Sequence, residues 1–188
     1  MPQEAVDKAD YFICEPTGVE GTPEENTARL IERVCDIADF SARVSRPVFV
    51  AHPFRSPINA RLINRPIAQW LRDIPVRSKL SDYTPAQINE FFLFDVAQFG
   101  RAAAANGVPV EINGATQNRV RVANQPGILR LLWAAFALIK EQGVSFVPGS
   151  DQHGFSIARH GDYVPSDCFE AIGVTAEDIA FLHEFEQR

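Results

Sequence analysis

The sequence predicts an α/β fold built on a parallel sheet, on three observations. Short apolar runs alternate with longer amphipathic stretches: "YFIC" at 11–14, "PVFVA" at 47–51, "VPVEIN" at 108–113 and "VSFVPG" at 144–149. These runs lack the strict alternation of a half-exposed strand, so they read as strands of a parallel sheet covered on both sides. The chemically capable polar residues stand directly after the runs, where a parallel sheet gathers its strand ends.

Each element follows from local chemistry. After "YFIC", the stretch "EPTGVEGTPEEN" breaks the chain. Thr22, Pro23, Glu24 and Glu25 then combine a capping hydroxyl, a first-position proline and first-turn acids, which starts a helix. It is expected to run to about Ser41, with Leu30, Val34, Ile37 and Ala38 inward. "PVFVA" ends directly at "HPFR". Residues 58–74 read as helical, interrupted by Pro66. Thr84–Pro85 opens a helix expected to continue to Asn106–Gly107, a good stop signal. "GATQNRVRVANQ" reads as a loop after the third strand, and "PGILRLLWAAFALIKEQG" as an apolar helix closed by Gly143. A last helix is expected near 176–187, after Thr175.

The totals fit a single domain over residues 1–188, since 188 residues suffice for one substantial core and not for two. Apolar content of 46% and charged content of 22% are those of a folded globular chain. A net charge of −6 disfavours nucleic acid as the main partner. Cys14, Cys35 and Cys168 are too few and too scattered for a disulfide framework or a zinc ribbon. They read as reduced core thiols, Cys35 especially, and point to the cytoplasm. The polar N-terminus does not read as a signal peptide, and no apolar run reaches the roughly 18–20 residues of a membrane span.

Four strand ends thus deliver candidate site residues: Glu15 after the first, His52 after the second, Glu111 and Asn113 on the third, and Asp151 with His153 after the fourth. Carboxylate and imidazole together suit zinc, manganese or iron. In an extended segment Asp151 and His153 point to the same side. Pro53 holds the following chain away from the helix, which keeps His52 at the rim. Glu111 sits among apolar neighbours, where an unpaired carboxylate is costly; a salt bridge or a role near a metal would satisfy it. Asn113 reads as a structural turn residue. Six basic residues lie between Arg55 and Lys79, and Arg119 and Arg121 follow the third strand. Arg55, three residues after His52, is the one placed to grip an anion with its planar fork. His160 and His183 are weaker candidates.

The ordered motifs "VFVAHPFR", "VEING" and "GVSFVPGSDQHG" resemble the C-terminal half of PHP domains, the polymerase and histidinol phosphatase family. The resemblance spans about residues 10–160. It implies a distorted (β/α)7 TIM-like barrel with two or three divalent metals at its C-terminal rim and hydrolysis of phosphate esters. By position, His52, Asp151 and His153 would be metal ligands. Glu111 would be a catalytic supporting residue more often than a ligand. The sequence departs from the family in carrying no His-x-His. Thr17 stands where a further ligand histidine is usual, with Glu15 as a possible substitute. The expectation is therefore a partial barrel, lacking the family's first strands.

The implied activity is a metal-dependent phosphoesterase acting on a small phosphorylated molecule. Zinc, manganese or iron would be held by His52, Asp151, His153 and Glu15, with Arg55 on the phosphate. A non-catalytic PHP-like domain that binds a ligand or a protein partner is the alternative, and an amidohydrolase-like metal hydrolase a second. An open sheet leaves strand edges that proteins usually cover, so either a homo-oligomer or a helix masking the first strand is expected.

Overall fold

Among the described residues, four parallel strands, paired in the order of the chain, position everything else. A computed structural model of the protein describes residues 3–16, 20–63, 74–149 and 166–180. The strands are β1 (Phe12–Cys14), β2 (Val48–Val50), β3 (Val110–Asn113) and β4 (Phe146–Gly149), in the sheet order β1-β2-β3-β4. This order has no reversal, unlike that of a doubly wound sheet. Right-handed crossovers that all advance in one direction bring their helices to one face.

The register shows which face that is. Val48, Val50, Val110, Ile112 and Phe146 are buried in one hydrophobic core with the helices. The alternate positions, Ile13, Phe49, Glu111 and Asn113, look the other way. There the expected two-sided cover is incomplete at β1: Ile13 is 57% exposed, and Phe49 stacks on the exposed Tyr11 at 5.9 Å. Among the described residues β1 is hydrogen-bonded to β2 alone. The outer edge of β4 is met at its start by Ile179 and Ala180, whose N–H reaches the Phe146 carbonyl at 2.8 Å.

The helices are α1 (Gln3–Lys8), α2 (Pro23–Val44), α3 (Arg55–Ile63), α4 (Pro85–Phe92), α5 (Val96–Ala105), α6 (Gly114–Val122), α7 (Pro126–Lys140) and α8 (Ser166–Ile172). The start of α2 is the predicted capping box: Thr22 Oγ1 accepts from the Glu25 N–H, and Glu25 accepts from the Thr22 N–H. The helix runs one turn further than expected, to a left-handed Ser45. Leu30, Val34 and Ile37 are buried as predicted. Cys35 is not a core residue but exposed; Cys14 is partly buried and Cys168 buried.

Two further expectations are corrected. The single helix from Pro85 to Gly107 is two, because Leu93 is left-handed at φ 62° and Asp95 caps a new start through its bond with the Gln98 N–H. "GATQNRVRVANQ" is not a loop. Its first part is α6, capped by Asn113 Oδ1 on the Thr116 N–H at 2.7 Å and anchored by buried Thr116, Gln117 and Val120. The expected helix over 58–74 is seen as Arg55–Ile63; residues 64–73 lie outside the described residues, and Ile74 is not helical. The helix expected near 176–187 is, over its described part, a single 3-10 turn at Ala176–Asp178 followed by non-helical Ile179 and Ala180 against β4; residues 181–187 lie outside the described residues. No helix among the described residues is long and apolar enough to cross a membrane.

Candidate functional site at the strand ends

The turn after β2 builds the centre of the site. The Arg55 N–H donates to the His52 carbonyl at 2.9 Å, closing a tight turn over His52, Pro53 and Phe54. Phe54 is 1% exposed and packs against Phe92 and Phe136, with ring centroids 4.5 and 5.1 Å away. That aromatic anchor leaves His52 and Arg55 together at the surface end of the turn.

Three predicted residues meet here. His52 Nε2 lies 3.3 Å from Glu15 Oε1, just past the end of β1, and 3.3 Å from Arg55 Nη1. The two contacts require opposite states of the ring. A guanidinium only donates, so its partner nitrogen must be bare; an ionised carboxylate only accepts, so its partner nitrogen must carry hydrogen. His52 thus has one polar neighbour for each form. The His52 side chain is 11% exposed and that of Glu15 73%.

A cleft of about 310 Å³ opens beside this trio, lined by Glu15, Pro16, His52, Arg55, Ser56 and Asn59. Ser56 and Asn59 were not singled out by the sequence, although Asn59 stands four residues after Arg55 on one helix, a spacing that shares a face. Asn59 Oδ1 also receives Arg119 Nη1 at 3.0 Å, tying α6 to α3. Arg121 is engaged away from the cleft, with two bonds to the Asp167 carboxylate at 3.1 and 3.0 Å.

Glu111 does not line the cleft. It is 6% exposed, and both carboxylate oxygens are used. Oε2 accepts the His52 backbone N–H at 2.8 Å, and Oε1 accepts Asn113 Nδ2 at 3.1 Å. Asn113 therefore serves β3, Glu111 and the start of α6 at once. Thr17, Asp151, His153, His160 and His183 lie outside the described residues. Among the described residues, no three His, Cys, Asp or Glu side chains form a group able to hold a metal ion.

Comparison of the chain with protein-family models, with curated proteins and with solved structures returned no match. The class of protein defined by the observations above is an α/β protein with a four-stranded parallel sheet and a polar cleft at its strand ends.

Proposed function

We propose that this chain is a metal-dependent hydrolase, a phosphoesterase of the PHP type acting on a small phosphorylated molecule. One observation carries the reading: a carboxylate, an imidazole and a guanidinium, Glu15, His52 and Arg55, meet beside a cleft at the C-terminal ends of sequentially ordered parallel strands. That end is where parallel α/β folds bind their ligands. The unreversed strand order supports the finer reading of an arc of a (β/α)7 TIM-like barrel, because neighbours in a barrel wall follow one another in sequence.

The donor types suit a divalent ion. Imidazole nitrogen and carboxylate oxygen are ligands of zinc, manganese and iron, and Glu15 with His52 supplies one of each. A third and fourth donor would come from Asp151 and His153, two and four residues after the last residue of β4. A bound ion supplies Lewis acidity and a nucleophilic water at neutral pH. Arg55 would leave His52 Nε2 for the phosphoryl oxygens, gripping the ester and offsetting charge that builds up in the transition state. Glu111 acts from behind the site, through the backbone of His52.

A second reading keeps the fold without the chemistry: a non-catalytic domain that binds a ligand or partner. It rests on the sequence, which carries no His-x-His and so offers a reduced ligand set. Elemental analysis after loading with zinc, manganese and iron, together with a generic phosphomonoester assay, separates the two. Metal in the wild-type chain that is lost in H52A and D151A, along with turnover, is the expected result. A metal-free wild type, or equal metal in H52A, refutes the hydrolase reading.

A further inference from the structure

His52 has a positive φ of 29°. An L-residue seldom adopts that region, and a residue before proline is normally held extended. Such a conformation persists only where its surroundings impose it. β2 and β3 pair at Val50 and Val110 alone, so at His52 the ladder has already ended. The His52 N–H has left the sheet, and a buried N–H needs a partner.

Glu111 is that partner. Its Oε2 takes the His52 N–H at 2.8 Å, while Oε1 is braced by Asn113 Nδ2 at 3.1 Å. The third wall of its seat is Gly149, paired in register with Asn113 on the neighbouring strand. A Cβ at Gly149 would overlap Glu111 Oε1 and lie 2.6 Å from Cδ and 2.8 Å from Cγ. Moving one oxygen would not relieve that overlap; the side chain from Cγ outward would have to leave. The φ of Gly149 lies outside the left-handed region, so glycine is required there for space and not for conformation.

We infer that Glu111, seated over Gly149, is the positioning residue that fixes the left-handed backbone of His52 and so aims its imidazole into the cleft with Glu15 and Arg55. The carboxylate holds the ends of β2, β3 and β4 as one unit. Gly149 is thereby coupled to His52 through the Glu111 side chain. This inference concerns the chain's own geometry and stands whatever the cleft binds.

Nuclear magnetic resonance of the ¹⁵N- and ¹³C-labelled chain, without metal, reads the His52 amide and imidazole directly. E111Q keeps one side-chain acceptor for two donors. The His52 amide proton should move upfield and the imidazole signals should shift from their wild-type positions. E111Q/N113D reverses donor and acceptor between the two side chains, freeing an acceptor for the His52 N–H. Aspartate caps α6 as asparagine does. The wild-type His52 signals should return in this double variant. G149A should shift the same signals as E111A does, and E111A/G149A should melt no lower than E111A, because the atoms that would clash are gone.

Unchanged His52 signals in E111Q or in G149A overturn the inference. So does an E111Q/N113D chain that stays as perturbed as E111Q. If E111Q alone does not fold, the rescue by N113D and the melting temperatures of E111A, G149A and their combination decide. Additive losses in that cycle also overturn it.

Discussion

The Oε1 of Glu15 stands 3.3 Å from Nε2 of His52 and joins the ends of β1 and β2, while Arg55 Nη1 reaches the same nitrogen from α3. On the hydrolase reading these neighbours have opposite effects on an ion at Nε2: the carboxylate attracts it and the guanidinium repels it. R55M should therefore bind zinc more tightly than the wild type. It should also turn over a phosphomonoester about 10²–10³-fold more slowly in kcat, the usual cost of losing one transition-state donor. E15Q should bind zinc more weakly. Calorimetric titration with zinc and steady-state kinetics measure both quantities. Weaker zinc binding in R55M would remove Arg55 from its assigned place.

The break between α4 and α5 is held from α2. Asn26, 2% exposed, donates to the Leu93 carbonyl at 2.9 Å and also pairs with the N–H and carbonyl of Gly21, each at 3.0 Å. The adjacent Thr27 Oγ1 accepts the Asp95 N–H at 2.8 Å. N26A should strand these backbone groups, and each buried group left unpaired costs about 1–3 kcal/mol. We expect a net loss of about 3 kcal/mol, seen as a melting temperature lower by roughly 6–12 °C for a chain of this size. A drop under about 2 °C would show that water replaces the asparagine.

The same contacts explain what the sequence could reveal. Thr22-Pro23 and Thr84-Pro85 marked their helices because the cap partners, Glu25 and Gln87, lie three residues away. Leu93 gave no signal. Its left-handed backbone is supported by Asn26, 67 positions earlier, and no local rule places a helix end at leucine. Residues 114–122 look like a loop because glycine, threonine, asparagine and valine are weak helix formers; the Asn113 cap and the burial of Val120 override that preference. Cys35 was readable, since a helix turns about 100° per residue and carries Cys35 away from Val34. The meeting of Glu15, His52 and Arg55 was legible from strand ends alone. The seat of Glu111 was not, because it depends on a backbone N–H and on the register of Gly149 against Asn113.

Thr116 offers a test of burial cost beside the site. It is 4% exposed in the first turn of α6, and its Oγ1 has no hydrogen-bond partner among the described residues. The space it shares with His52, Pro53, Phe54 and Phe136 has no room for a water molecule. A buried unpaired hydroxyl costs about 1–3 kcal/mol. T116V keeps the shape and removes the polar atom, so it should be neutral or stabilising by up to about 1 kcal/mol in urea denaturation. A loss above about 1 kcal/mol would mean that the hydroxyl has a partner in solution.

The three cysteines should separate by burial and by pH. Cys168 is 0% exposed, and its thiol is pushed up to about 12 by burial first and by the Asp167 carboxylate second, against the pull of Arg121 and a bond from Gln117. Burial also raises the Cys14 thiol, with Arg33 opposing. Cys35 is exposed. An aromatic disulfide reagent near pH 8 should therefore modify Cys35 first, Cys14 more slowly, and Cys168 only on unfolding. The linkage of Cys168 follows from the direction of its shift. Below the ordinary thiol value of 9.0 both folded and unfolded forms keep the proton. From 9.0 to about 12 the unfolded thiol loses its proton and the folded one holds it, so stability falls as pH rises. That slope is about 1.4 kcal/mol per pH unit for one proton. C168A should be less stable at neutral pH through lost packing, yet should lose less between pH 9 and pH 10.5 than the wild type. Urea denaturation at those two pH values measures the difference, and equal alkaline losses in both chains would show that Cys168 ionises in the folded protein as readily as in the unfolded one.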